Sequence, residues 1–226
     1  MKPTYNTQEI LRVNRTKEEA QKSYDKLSKY YDLISGSFEN HYKCRALNRI
    51  KVNQGEQILE VGFGTGYCLE KIAISVGETG KAIGMDLSTG MIEIARNRIN
   101  KSLLTKRVHM DCGDATNLPY KNGVFDAIFC SFSLELFDTP EIPIVLSEMM
   151  RVLKSGGRLG IISMSKENHI SFMTKVYEWC HLHFEIFTDC RPIRAEESIQ
   201  QAGFFVTFVE KVDMFGLPAR IVAAKK

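Results

Sequence analysis

The chain has 226 residues, 44% hydrophobic and 25% charged, with a formal net charge of +3. That composition suits one globular domain with a full apolar core, and so small a charge, with no basic run, argues against a polyanion partner. No apolar stretch reaches the roughly 20 residues that cross a bilayer, and the opening MKPTYNTQEI lacks the apolar segment of a secretory leader, so a cytoplasmic protein is expected.

Residues 1 to about 15 read as a polar arm. Residues 16–50 read as helical: Tyr24, Leu27, Tyr31 and Ile34 recur on one face, and Ser35-Gly36-Ser37 interrupts the pattern. An alternation of strands and helices then begins. Gln57 to Val61 is a short apolar strand, followed by a glycine loop and a helix with Leu69, Ile72, Ala73 and Val76 on one face. Lys81 to Met85 is a second strand. Ser88 is placed to cap the next helix, which buries Met91, Ile92, Ala95 and Ile99. Arg107 to Met110 is a third strand, and Phe125 to Cys130 a fourth, apolar on both faces as a central parallel strand should be. A helix from about Glu141 to Leu153 is expected to stop at Gly156-Gly157, ahead of a fifth strand from Arg158 to Met164.

The rhythm then changes. Residues 168–187 read as an aromatic-rich helix and 194–202 as a short one. Phe204 to Val212 and Leu217 to Ala224 are two strands joined so closely, through Met214-Phe215-Gly216, that they must form an antiparallel hairpin at the sheet edge. The expected fold is α/β, a doubly wound, mostly parallel sheet. Residues 1–50 form a helical arm or lid, and 51–226 form the sheet domain with an aromatic-rich insertion at about 165–195.

Three acidic features follow three successive strands. Glu60-Val61-Gly62-Phe63-Gly64-Thr65-Gly66 leads from the first strand into its helix, and its glycines let backbone approach a ligand in the crevice outside the strand ends. The dinucleotide pattern G-x-G-x-x-G fails here, because Tyr67 or Leu69 stands where its third glycine belongs. Asp86 ends the second strand, where a carboxylate can accept both hydroxyls of a ribose; the alternative is a helix cap, for which Ser88 is better placed. Asp114, in Cys112-Gly113-Asp114-Ala115, can accept from an adenine amino group beside the Ala115 N–H, or be a plain turn residue.

Together these features resemble the class I S-adenosylmethionine-dependent methyltransferases over residues 50–165. Leu118-Pro119-Tyr120 with Phe125-Asp126 is similar to the family's "LPF…FD" stretch, and Glu148 with Arg151 to Gly157 to its "E…RVLKPGG" stretch. The resemblance implies a Rossmann-like seven-stranded sheet and S-adenosylmethionine as cofactor. It implies that Glu60, Gly62, Gly64 and Gly66 lie near the cofactor's amino-acid end, that Asp86 takes the ribose, that Leu87 and Met91 flank the adenine, and that Asp114 and Ala115 read its edge. Ser131 then lies where the methyl group points. The plain alternative for Leu87 and Met91 is core packing. Tyr24-Asp25 to Tyr31-Asp32 resembles the entry of the ubiquinone/menaquinone C-methyltransferases, and phospholipid N-methyltransferases are similar there. The chain departs from the quinone enzymes after strand four, reading Phe132 to Phe137 in place of their Arg-Asn pair.

The acceptor side is expected to draw on Tyr24, Tyr30 and Tyr31 of the arm, on Ser131, Ser133 and Glu135 after strand four, and on His169, Tyr177, His181, His183 and Asp189 after strand five. Ser131, Glu135 and His169 are the candidate catalytic groups; Glu135 is alternatively a solvated acid at a helix start. The histidines lack ligand spacing, so no metal is expected. The six cysteines, Cys44, Cys68, Cys112, Cys130, Cys180 and Cys190, form no C-x-x-C pair and read mostly as small buried thiols. The expected activity is methyl transfer to a small, largely apolar acceptor, quinone- or phenol-like or an aminolipid. No nucleic-acid partner or integral membrane segment is expected, while weak membrane-surface contact and a homodimer are compatible. The alternatives are a non-catalytic S-adenosylmethionine sensor or partner protein and, less in keeping with the glycine loop, a nicotinamide oxidoreductase.

Overall fold

The computed structural model describes residues 12–13, 16–34, 36–166, 191–214 and 216–226, and between 26 and 38 the backbone alone. Two helices, α1 (Lys17–Ile34) and α2 (Gly36–Leu47), lead into β1 (Gln57–Val61), α3 (Tyr67–Ser75), β2 (Lys81–Asp86), α4 (Thr89–Lys101) and β3 (Val108–Cys112). The chain continues through β4 (Phe125–Ser131), α5 (Ile142–Val152), β5 (Leu153–Met164), α6 (Ala195–Gln201), β6 (Phe205–Met214) and β7 (Leu217–Lys225). The expected aromatic helix at 168–187 lies outside the described residues. No described helix is long and apolar enough to cross a membrane.

The seven strands form one sheet in the order β3-β2-β1-β4-β5-β7-β6. Neighbours among β1 to β5 pair parallel, and β7 runs antiparallel between β5 and β6. The hairpin thus sits at the sheet edge as expected, with β6 outermost. Because side chains alternate across a pleated strand, neighbours serve opposite layers. Leu59 and Ile128 join α5 and α6 in one apolar cluster, while Ile58 and Phe129 join α3 and α4 in the other. Strand order reverses between β1 and β4, which opens a crevice at their carboxyl ends. Register makes those ends level: Val61 stands beside Cys130, and Ser131 beside Ile162. The arm covers part of this edge, with α1 against α4 and α2 against α3, β5 and β7.

One boundary differs from expectation. Gly156-Gly157 does not end the fifth helix. Helix α5 stops at Val152, and fully buried Leu153 pairs at once with Phe125, so β5 begins there. The register then jumps to Ala127 beside Arg158, and the glycines lie in the irregularity between. The apolar demand of Leu153 decides this, because leaving it in a frayed helix end would expose it.

The "E…RVL" stretch is a clamp. Arg151 Nε and Nη2 bind Glu148 at 2.8 and 2.7 Å, and the same guanidinium donates to Leu118 O, Tyr120 O and Asn122 Oδ1. Glu148 in turn accepts from Leu118 N at 2.8 Å. Such a bidentate pair fixes geometry as well as adding energy. Asp126 does a similar task, accepting from Gln57 N at 2.9 Å and Lys154 Nζ at 2.6 Å. Replacing Arg151 by Met should loosen the segment 118–122 and cost about 1–3 kcal/mol, since several charge-assisted bonds go at once while the site stays partly open to water. Urea denaturation measures this; an unchanged midpoint would show that the clamp is ornamental.

Candidate active site

The glycine loop is held from two sides. Asp86 Oδ2 accepts from Gly64 N at 2.8 Å, and Arg98 of α4 donates from Nε to Thr65 O at 3.0 Å. Gly66 has φ +80°, and a Cβ there would stand 2.8 Å from the Ala95 Cβ, so the loop rests directly on α4. Gly64 has φ +53° and nothing within 4 Å of its Cβ position. The loop is therefore tight where it meets the helix and open where it faces the crevice, which leaves room for a ligand to approach the backbone.

Glu60, at the end of β1, is 1% exposed, and its Oε2 has no hydrogen-bond partner. Burial pushes its carboxyl well above the usual range; Lys43 of α2 opposes this and Asp86 adds to it. Lys43 is itself shielded, 2.8 Å from Glu39 Oε2 and 5.8 Å above the Phe132 ring.

At the end of β2, Asp86 Oδ1 accepts from Ser88 N at 2.9 Å. Ser88 caps α4 as expected, its Oγ accepting from Met91 N at 3.1 Å. The arm supplies a second cap that sequence reasoning did not assign. Asp25 of α1 accepts from Ser88 Oγ at 2.6 Å and from Gly90 N at 2.9 Å. Burial pushes Asp86 up and Asp25 adds to that, while the backbone donors pull it down. Leu87 is half-buried, and Met91 is in the core at 3% exposure.

After β3, Asp114 accepts from Thr116 N at 2.9 Å and Thr116 Oγ1 at 2.6 Å, and it pairs with the Lys17 ammonium of α1. Lys17 also reaches Glu141 Oε1 at 2.9 Å. Although burial pushes Asp114 up, Lys17 and Thr116 hold its carboxyl below the usual range. Ala115 is buried beside it. Farther along the arm, Arg12 makes a fork on Asp138, 2.8 Å from Oδ1 and 2.6 Å from Oδ2. No local pattern marks Lys17 or Arg12, because their partners lie far away in the chain.

Beyond β4, Phe132 adopts a left-handed φ of 49°, uncommon for so bulky a residue. That turn brings Ser133 Oγ within 3.0 Å of both Gly62 O and Ser131 O, locking the segment over the glycine loop. Ser131 is nearly buried at the strand end. Glu135, in a 3-10 turn at Leu134–Leu136, is 0% exposed and not a solvated acid. Its Oε1 accepts from Met164 N at 2.9 Å. Burial first of all pushes its pKa up to about 8, against the Met164 donor.

The structure thus gathers Glu60, Gly62, Gly64, Gly66, Asp86 and Leu87 with Met91, Asp114, Ala115, Ser131 and Glu135 along one edge of the sheet. His169, Tyr177, His181, His183 and Asp189 lie outside the described residues, as do the side chains of Tyr30 and Tyr31. No group of three metal-ligating side chains occurs among the described residues. Of the described cysteines, Cys68 and Cys130 are buried, Cys44 is half-buried and Cys112 is exposed. The last departs from the expected burial; it is the final residue of β3, an edge strand.

Residues 58–157 match the model of a methyltransferase domain family. The demethylmenaquinone methyltransferase of Lactococcus lactis is 31% identical over 86% of this chain and 85% of its own length. Among solved structures, the [4+2]-cyclase SpnF superposes with a TM-score of 0.75 at 20% identity over 94% of this chain and 97% of that one. A SAM dependent methyltransferase from Aquifex aeolicus gives 0.64 at 24% identity over 88% and 97%. The structural likenesses establish the fold; that a cyclase shares it shows how little the fold alone says about chemistry.

Gly66→Ala should cost about 1–2 kcal/mol of backbone strain, with the Ala95 contact added. Gly64→Ala meets no neighbour and should cost the strain alone. Equal losses in denaturant titrations of the two variants would show that the loop does not rest on α4 as described.

Proposed function

The chain belongs to the S-adenosylmethionine-dependent methyltransferases, and from that premise we propose how its own residues serve the reaction and which acceptor they suit. S-adenosylmethionine supplies a methyl group already electrophilic on a sulfonium sulfur, so no protein nucleophile is required. The protein has to align the acceptor and exclude water, and alignment is worth about 7–11 kcal/mol in favourable cases.

The observation that carries the reading is the open side of the glycine loop, flanked by acids at the ends of three neighbouring strands. Gly64 leaves space where backbone must approach the ligand. The partnerless Glu60 Oε2 suits the ammonium of the cofactor's amino-acid end. Asp86 accepts from Gly64 N and Ser88 N on separate oxygens, and a carboxylate has about four acceptor positions, which leaves capacity for a ribose hydroxyl. Leu87 and Met91 then border the adenine, Asp114 and the Ala115 N–H meet its edge, and Gly62 and Gly66 shape the loop. Ser131, at the end of β4, lies beside the transferred methyl group.

In this reading residues 1–50 act as a lid on the domain formed by 51–226. Asp25 and Lys17 support this, because α1 reaches both the start of α4 and Asp114. Lys17 occupies an acceptor position on the carboxylate assigned to the adenine, so ligand entry and lid position are coupled.

The acceptor is a small, largely apolar ring of the quinone or phenol type. The support is the acceptor named for the Lactococcus relative, together with the aromatic-rich sequence of 165–195, since small-ligand pockets are mostly apolar with a few placed polar groups. His169, outside the described residues, is proposed from the sequence as one such group. An isoprenoid acceptor would also require contact with the membrane surface, and a homodimer is compatible with this reading.

Asp86→Ala should weaken S-adenosylmethionine binding roughly ten- to hundredfold, the loss of a charged acceptor worth about 1.5–3 kcal/mol. Calorimetry reads this directly, and a variant that binds as tightly as the parent would remove Asp86 from the ribose. For the acceptor, labelled S-adenosylmethionine should mark isoprenoid hydroquinones in preference to aminolipids, peptides or RNA. Label confined to the macromolecules would overturn the small-acceptor reading.

A further inference from the structure

The acceptor reading above leaves open what removes the proton when a ring hydroxyl is activated. Resting on that reading, we propose that Glu135 takes the proton of a hydroxyl on the acceptor ring, and that the enzyme thereby acts on ionisable phenol- or quinol-type acceptors.

Placement comes first. Glu135 follows β4 in its 3-10 turn and is tied through Oε1 to Met164 N at the end of β5, 2.9 Å away. It therefore stands between the carboxyl ends of β4 and β5, one strand along from the β1–β4 crevice in which ligands of doubly wound sheets bind. Its side chain is fully buried, and Oε2 has no hydrogen-bond partner. An orphaned buried acceptor is costly, so its retention calls for an explanation outside packing. Ser133, the nearby hydroxyl, is already committed to Gly62 O and Ser131 O.

The charged and titratable groups facing Glu135 come from three elements. Glu39 of α2 pushes its proton affinity up, and Arg191, preceding α6, pulls it down. Cys130 of β4 is close enough for its own thiol to be raised by Glu135, after burial. Arg191 is held in place, donating to Thr139 Oγ1 at 3.0 Å and to Phe137 O.

Burial is the leading influence, and the result is a pKa of about 8. An ordinary glutamate, near about 4.3, lies some 6 units below a phenol at about 10 and is a poor acceptor for its proton. At about 8 the mismatch narrows to about 2 units, while roughly a tenth of the groups are ionised at neutral pH.

The step balances as follows. The hydroxyl proton moves to Glu135 Oε2, and the electron pair left on oxygen enriches the adjacent ring carbon. That carbon bonds to the methyl carbon as the carbon–sulfur bond breaks, the bonding pair staying on sulfur. The ring carbon's own hydrogen then leaves as a proton to solvent, aromaticity returns, and Glu135 gives its proton back to the ring oxygen, which restores both the hydroxyl and the carboxylate. One methyl group is gained, one proton is released overall, and nothing is oxidised or reduced.

The test compares the full-length protein with Glu135→Gln and Glu135→Asp. Gln keeps an oxygen for Met164 N, and melting temperature and S-adenosylmethionine calorimetry should be unchanged in that variant. With an isoprenoid hydroquinone kept reduced, the wild-type rate should rise with pH and level off above about 8. Glu135→Gln should be slower by about 10²- to 10⁴-fold and lose that rise, Glu135→Asp should recover part of the rate, and a halogenated hydroquinone already ionised at the assay pH should recover much of it in Glu135→Gln. Independently of turnover, infrared difference spectra should show a protonated-carboxyl band that disappears with a midpoint near pH 8 in the wild type and is missing from Glu135→Gln. An active wild type with an equally active Glu135→Gln of the same pH profile overturns the proton-acceptor role alone. A wild type that methylates no hydroquinone overturns the acceptor reading, and this proposal with it.

Discussion

Asp86 is the joint that the rest of the site depends on. One of its oxygens accepts from Gly64 N in the loop after β1, and the other from Ser88 N at the start of α4. A single carboxylate thereby ties the turns after β1 and β2 together, next to the β1–β4 reversal. The loop gains a fixed path without a side chain that would fill the crevice. Arg98 on Thr65 O and Ser133 on Gly62 O complete the hold from α4 and from the segment after β4. Because each restraint falls on backbone, the face toward the crevice is left to the ligand.

The same edge concentrates acids where burial is unfavourable to charge. Glu60 and Glu135 are both enclosed, and burial raises the proton affinity of each. A glutamate that binds protons more tightly folded than unfolded favours folding most below its unfolded pKa, near about 4.3, and loses that advantage as pH rises through the folded value. For Glu135 that window runs up to about 8. The domain offsets such costs with apolar layers on both faces of the sheet, in which Leu59, Ile72, Ile128 and Leu146 are fully buried. Stability is held in the layers, and at the rim the backbone of Phe132 is held in a left-handed turn.

The first part of the arm, from Arg12 to Asp25, binds this rim through ionic and capping contacts, whereas its end, with Ala46, Leu47 and Ile50, is buried in the core. Asp25 on Gly90 N, Lys17 on Asp114 and Arg12 on Asp138 all bridge the arm to the loops after β2, β3 and β4. The last two of these are partly exposed ion pairs, individually weak in water. Contacts of that kind let a covering segment rearrange at modest cost, whereas a buried apolar interface would make it part of the core.

The sheet was legible from periodicity because apolar runs of strand length alternating with helical faces admit few other folds. Gln57 to Val61 and the buried face Met91, Ile92, Ala95 and Ile99 stand where the pattern placed them. The glycine loop, Asp86 and Asp114 were legible for a related reason: each sits within a few residues of a strand end, so spacing along the chain carries their position. Ser88 was readable as a cap from the same local logic. What only the tertiary structure decided depends on contacts between distant segments. Gly156-Gly157 looked like a helix stop until the pairing of Leu153 with Phe125 claimed that stretch for β5. Glu135 reads in sequence either as a catalytic group or as a solvated acid at a helix start, and its burial arises only when the chain after β4 folds against Met164. Lys17 and Asp25 find partners 97 and 63 residues away, and no local spacing encodes that. Periodicity and turn chemistry are local and therefore written in the sequence, while the proton affinity of a carboxyl is set by everything that excludes water around it.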